Sequence, residues 1–120
     1  MARILIIDDD DLLRGVLAQA LAHAGHEVVQ ASDGKMGVDQ VRSAPVDLVI
    51  TDMIMPGQEG VETISILRRE WPDLPVIAMS GGVTHSNLYL NIAVKIGARK
   101  MLAKPFTPSQ LLAAVDEVLG

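Results

Sequence analysis

An α/β fold built on a doubly wound parallel sheet is what three features of this 120-residue sequence predict. Short apolar runs alternate with segments of helical period along the whole chain. The runs are apolar at consecutive positions rather than at every second one, as strands covered on both faces must be. Several of them stop abruptly at a polar residue, namely Asp8, Asp52, Ser80 and Lys104. In sheets of this kind the functional site lies beyond the carboxyl ends of the strands.

The first strand is expected at Ile4–Ile7, where it meets the acidic run Asp8-Asp9-Asp10-Asp11. Leu12, Leu13, Val16, Leu17, Ala20, Leu21 and Ala24 then keep to one helical stripe, and Gly25 ends it. Asp10 or Asp11 is expected to cap this helix, since acids favour its positive end. The second strand is Glu27–Gln30. A weaker helix follows around Met36–Val41, because Gly34 and Gly37 lower its propensity. The third strand is Leu48–Thr51. Val61, Ile64, Ile66 and Leu67 mark the third helix, closed by Trp71-Pro72. The fourth strand is Val76–Met79, and a helix over about residues 86–96 stops at Gly97. That helix has more apolar residues than one buried face can take, so Tyr89 and Leu90 point to an exposed patch for a partner or a second copy. The fifth strand is Lys100–Ala103. Thr107 as cap, Pro108 at the first helical position and Gln110 in a capping box sign the last helix. The chain reads as one domain over residues 1–120, with no linker or repeat.

Composition narrows the function. Lys plus Arg is 10 against 15 for Asp plus Glu, a net charge of −5, which argues against direct nucleic-acid binding. Trp71, Tyr89 and Phe106 are the only aromatic residues, too few for stacking on bases or sugars. The absence of cysteine removes disulfide and thiolate chemistry and fits a reducing cytoplasm. No apolar run reaches membrane-span length, and Arg3 precedes only four apolar residues, so no secretory signal is expected. The spacing His23-x-x-His26 straddles a helix end, so both are read as surface residues rather than as a metal pair.

Three carboxylates (Asp8, Asp9, Asp52), a hydroxyl (Ser80) and an amine (Lys104) are thus expected to converge on one sheet edge. Clustered carboxylates repel, and a bound cation relieves them; all-oxygen ligands suit a hard ion such as Mg²⁺. Phosphoryl transfer to a carboxylate fits this set. Donor and acceptor are both negative, so a divalent ion, a lysine and a hydroxyl stabilise the charge, and the rest is positioning.

Ile4-Leu5-Ile6-Ile7-Asp8-Asp9-Asp10, Asp47-Leu48-Val49-Ile50-Thr51-Asp52-Met53-Ile54-Met55-Pro56-Gly57, Ser80-Gly81 and Lys104-Pro105-Phe106 carry a further resemblance. With these motifs in this order the chain resembles the receiver domain of bacterial two-component response regulators, the CheY-like family. The resemblance implies a flavodoxin-like (βα)5 fold with strand order 2-1-3-4-5. It implies that Asp52 accepts the phosphoryl group and that Mg²⁺ or Mn²⁺ is the cofactor. Asp9 and Asp52 would bind that ion, Asp8 would act mainly through water, and the main-chain carbonyl of Ile54 would be a further ligand. Ser80 would hold the phosphoryl group, Lys104 would pair with it, and the Lys104-Pro105 bond would be cis. A sensor histidine kinase or a phosphotransfer protein would be the donor. A downstream protein or output domain would read the face made by the fourth helix, fifth strand and fifth helix, and a phosphorylation-dependent dimer is a further partner. The location implied is cytoplasmic.

Three positions depart from the family pattern. Met101 stands where a Tyr or Phe usually swings inward on activation, so switching is expected to proceed without an aromatic hydroxyl. Gly82 and Ile54 flank the phosphoryl site and are expected to tune water access. Two rival functions fit parts of the sequence. Asp8-Asp9-Asp10 satisfies the Asp-x-Asp start of haloacid-dehalogenase-like phosphatases, with Asp8 as nucleophile and Asp10 as acid/base. That reading leaves the Asp52 motif unexplained. A phosphorylation-independent docking module would not need the full polar set.

Overall fold

The computed structural model describes residues 2–53, 60–80 and 97–120. Among these, five parallel strands form one sheet: β1 (Arg3–Ile7), β2 (Glu27–Ala31), β3 (Leu48–Asp52), β4 (Val76–Ser80) and β5 (Lys100–Ala103). Their order is β2-β1-β3-β4-β5, the order the resemblance implies. The described helices are α1 (Asp11–His23), α2 (Gly34–Ser43), α3 (Gly60–Glu70) and a C-terminal helix (Pro108–Leu119).

The β-branched runs explain the sheet. Ile4, Ile6, Leu48, Ile50 and Ile77 point to one face and pack with Leu17 and Leu21 of α1 and Leu111 and Val115 of the C-terminal helix. Leu5, Ile7, Val49, Val76 and Ala78 point to the other, against Val38 and Val41 of α2 and Ile64 and Leu67 of α3. Successive residues alternate between these two cores, which is why the strands carry no polar face. Register is set accordingly: a slip of one residue would exchange the two cores, and the pairing places Ile7 beside both Ala31 and Thr51.

Two sequence expectations change in the folded chain. The α1 stripe is narrower than the periodicity suggests. Leu17, Ala18 and Leu21 are buried, whereas Leu12 is 80% exposed and Val16 47% exposed. Leu13, Leu17 and Leu21 form one i, i+4 row and Leu12, Val16 and Ala20 the next, and the sheet covers only the first. One of the glycines that weaken α2 as an isolated helix is what lets it dock. Gly37 is buried, and a Cβ there would collide with the Ile7 side chain. Helix propensity loses to close packing at that contact. Asp33 caps α2 through Met36 N at 2.8 Å, and the predicted capping box on the C-terminal helix is present in both directions, between Thr107 and Gln110. His23 is exposed as expected, but His26 is only partly so, and its Nδ1 accepts a bond from Ala2 N at 3.2 Å.

Gly60 opens α3 directly against the end of β3. A Cβ at Gly60 would strike the Asp52 carbonyl oxygen and sit 2.6 Å from Met53 Cα, and backbone atoms cannot swing aside as a side chain can. Gly60→Ala is therefore expected to cost about 1–3 kcal/mol, measured as a lower urea midpoint at unchanged slope.

Candidate functional site

The sheet register builds the site. Since β1 pairs Ile7 with Thr51, the next residues, Asp8 and Asp52, stand side by side at adjacent strand ends, where neighbouring chains run about 5 Å apart. The ladder continues past the strands: Asp8 N donates to Ala31 O at 3.1 Å, Met53 N to Met79 O at 2.8 Å and Lys104 N to Ser80 O at 2.7 Å. Main-chain pairing thus fixes the origin of each functional side chain before any side-chain interaction forms. The Lys104-Pro105 bond is cis, as the resemblance implies.

Asp8 is fully buried and Asp52 is 5% exposed, while Asp9 opens to solvent. Carboxylate oxygens of the three lie within 4.8 Å of one another. Lys104 starts two strands away from β3, and its long stem returns across the end of β4. Its Nζ lies 3.0 Å from Asp52 Oδ2 and 3.2 Å from Asp8 Oδ2. Burial pulls the Lys104 pKa down, but the hydrogen bond and charge of Asp52, joined by those of Asp8, outweigh it, and the net shift is upward. Ser80 is fully buried, and among the described residues its hydroxyl has no hydrogen-bond partner. A buried hydroxyl normally has one, so the Ser80 oxygen marks a place where an oxygen-rich ligand would be welcome.

The donor set suits a hard divalent cation. Among the described residues one ammonium meets a cluster of three carboxylates, and every candidate ligand atom is oxygen. The main-chain carbonyl assigned to Ile54 lies outside the described residues. So do Gly81, Gly82 and the apolar segment at 86–96.

Asp10 has a different task from its neighbours. Its Oδ1 accepts from Leu13 N at 3.1 Å, making it the N-cap of α1. That bond disfavours the dehalogenase-like reading, in which Asp10 would be the acid/base. Sequence reasoning passed over Arg14. Its Nη1 donates to the Asp8 carbonyl at 2.7 Å, its Nε to Gln30 Oε1 at 3.1 Å, and its Nη2 pairs with Asp11 at 2.7 Å. The available signal was a lone cation one helical turn past a run of four acids.

Residues 4–116 match the family described as the response regulator receiver domain. The chain belongs to this family. The receiver is 39% identical over 99% of its length to the DNA-binding transcriptional regulator NtrC of Azospirillum brasilense, of which it covers 24%. It is 30% identical to the chemotaxis protein CheY of Thermotoga maritima, covering 97% of this chain and 96% of that one. A solved CheY-like receiver domain protein from Methanospirillum hungatei superposes with a TM-score of 0.92 at 28% identity, covering 99% of this chain and 94% of the other. The chain therefore spans about a quarter of the NtrC relative and nearly the whole of the CheY one. Receiver domains take phosphoryl groups from histidine kinases and act on output domains or partner proteins, and they use Mg²⁺ at an acidic pocket. Among the described residues, no helix is long and apolar enough to cross a membrane.

The raised Lys104 pKa has a directional consequence. A lysine with a higher pKa folded than unfolded adds stability that is complete below the unfolded value, about 10.4, and is lost as pH rises through the folded value. In urea titrations without divalent ions, the stability difference between wild type and Lys104→Met should hold level from neutral pH to about pH 9 and shrink above it. A difference that widened toward alkaline pH would contradict the pairing.

Proposed function

We propose that this receiver is a phosphorylation-activated switch whose acceptor is Asp52, with residues 1–120 forming one receiver domain of cytoplasmic location. The observation that carries the reading is the convergence at one sheet edge of Asp8, Asp9 and Asp52 with Lys104 and with a Ser80 hydroxyl that has no partner among the described residues. An Asp52 carboxylate oxygen attacks the phosphorus of a phosphohistidine on a sensor kinase or phosphotransfer protein. The P–N bond breaks, the imidazole leaves and takes up a proton, and an acyl phosphate remains on Asp52. Mg²⁺ held by Asp9 and Asp52, with Asp8 acting through water and the Ile54 carbonyl as a further ligand, would neutralise charge shared by donor and acceptor. Lys104 already sits within hydrogen-bond reach of the acceptor, so a short swing transfers its ammonium to a phosphoryl oxygen. The Ser80 hydroxyl, at the end of the neighbouring strand β4, supplies a second donor. Arrival of the phosphoryl group then draws Ser80 inward and shifts the adjoining fourth-helix, fifth-strand and C-terminal-helix face, which a partner or output domain reads.

The test is incubation with acetyl phosphate and Mg²⁺, read on intact-mass spectra. Wild type should gain the mass of one phosphoryl group and Asp52→Asn none. A label on Asp8 would instead revive the phosphatase reading. No label from small donors or kinases would leave a docking module.

Met101 gives the switch its particular form. It is paired with Ala78 in the sheet and packs, half-buried, on the core beside α2 and α3. A flexible thioether can refill space as Ser80 moves, without a hydroxyl to exchange. Beryllofluoride should therefore change amide NMR shifts along β5 and the C-terminal helix. Changes confined to the residues around Asp52 would rule this out.

A further inference from the structure

The guanidinium of Arg14 lies outside the phosphoryl-accepting set, yet it reaches into the base of the acidic pocket. Its Nη1 donates at 2.7 Å to the main-chain carbonyl of Asp8. That carbonyl belongs to the peptide joining Asp8 to Asp9, the two acids of the β1–α1 turn. The same side chain is fixed at two further points, Gln30 of β2 through Nε at 3.1 Å and Asp11 of α1 through Nη2 at 2.7 Å. Only 15% of the side chain is exposed. A planar fork on α1 that ties the β1–α1 turn to β2, and is pinned to its own helix one turn back, is a rigid brace, and lysine cannot reproduce it.

The brace acts where the turn is under electrostatic stress. Asp8 and Asp9 carry like charges on adjacent residues, and the Asp8 carboxylate is already drawn two ways, by Asp10 N at 3.0 Å and Lys104 Nζ at 3.2 Å. Without a hold on the intervening peptide, repulsion favours rotating Asp9 away from Asp8 into solvent. We propose that Arg14 is a positioning residue for the cation site: by gripping the Asp8 carbonyl it keeps the Asp8 and Asp9 carboxylates aimed at one point. The inference rests on the reading of that pocket as a Mg²⁺ site.

Positioning and simple charge predict opposite signs. If Arg14 acted only as a nearby positive charge, removing it would tighten the binding of a cation. If it acts as a brace, removing it loosens binding, and so does replacing it by lysine with the charge retained. Mg²⁺ affinity measured by calorimetry on the intact chain should thus fall about tenfold in both Arg14→Ala and Arg14→Lys. Gln30→Ala, which removes one anchor of the fork, should fall in the same direction by less. Faster hydrogen exchange at the Asp9 amide should accompany each loss. Should Arg14→Ala fail to fold, Arg14→Lys and Gln30→Ala carry the test. Unchanged Mg²⁺ affinity in Arg14→Lys, with or without lower stability, overturns the inference alone, as does tighter binding in Arg14→Ala. Wild type that binds no Mg²⁺ overturns the metal reading and this inference together.

Discussion

The ammonium of Lys104, held between Asp8 and Asp52, is the interaction on which the rest of this receiver turns. Two carboxylates at the buried end of a sheet are unfavourable unless a cation meets them. The lysine supplies that cation from a residue 96 positions away from one acid and 52 from the other. It meets part of the demand only, because Asp9 adds a third carboxylate to the same cluster. Among the described residues, the carboxyl edge thus carries more carboxylates than the one ammonium that meets them. A cluster of that composition suits a hard divalent ion.

Such long-range bonds make the site a property of the whole sheet. Asp8 leaves β1, Asp52 leaves β3, Ser80 ends β4 and Lys104 follows β5, so no subset of neighbouring elements contains the site. Parallel strands impose this separation, since each return requires a crossover. The same register that aligns Ile7 with Thr51 sorts the apolar side chains into the two cores. A slip that spoiled the cores would also pull the acids apart, so packing and chemistry are selected by one alignment.

What could be read from the sequence follows the same division. The strands were legible because Ile4–Ile7, Leu48–Ile50 and Val76–Met79 are apolar at every position, a pattern that short strands buried on both faces require. The polar residues at their ends were legible because such an interruption is abrupt. Side-chain rows were less so: Leu12 and Val16 satisfy helical period as well as Leu13 and Leu17 do, and only the placement of the sheet separates them. Gly37 was read through propensity, which is local, while its reason is the Ile7 side chain, brought up from β1. Arg14 escaped for a related reason. Its partners include a main-chain carbonyl and a glutamine on another strand, and neither leaves a mark in the spacing of residues.

The proposed switch draws its two states from the same few bonds. In the unmodified chain the Lys104 ammonium is shared by two acids, whereas Ser80 holds a buried hydroxyl without a partner among the described residues. Among the described residues, then, the lysine is strongly bonded and the serine is not. A buried group in that condition is worth on the order of 1–3 kcal/mol to any arrangement that pairs it. A phosphoryl group on Asp52 would bring oxygens for both Lys104 and Ser80, so the lysine exchanges partners while the serine gains one. The asymmetry implies that the response should travel through the β4 end rather than through β1. Around Asp8 the bonds from Asp10, Lys104 and the Arg14 grip on its carbonyl are already made, whereas the Ser80 hydroxyl has none among the described residues and gains one by moving.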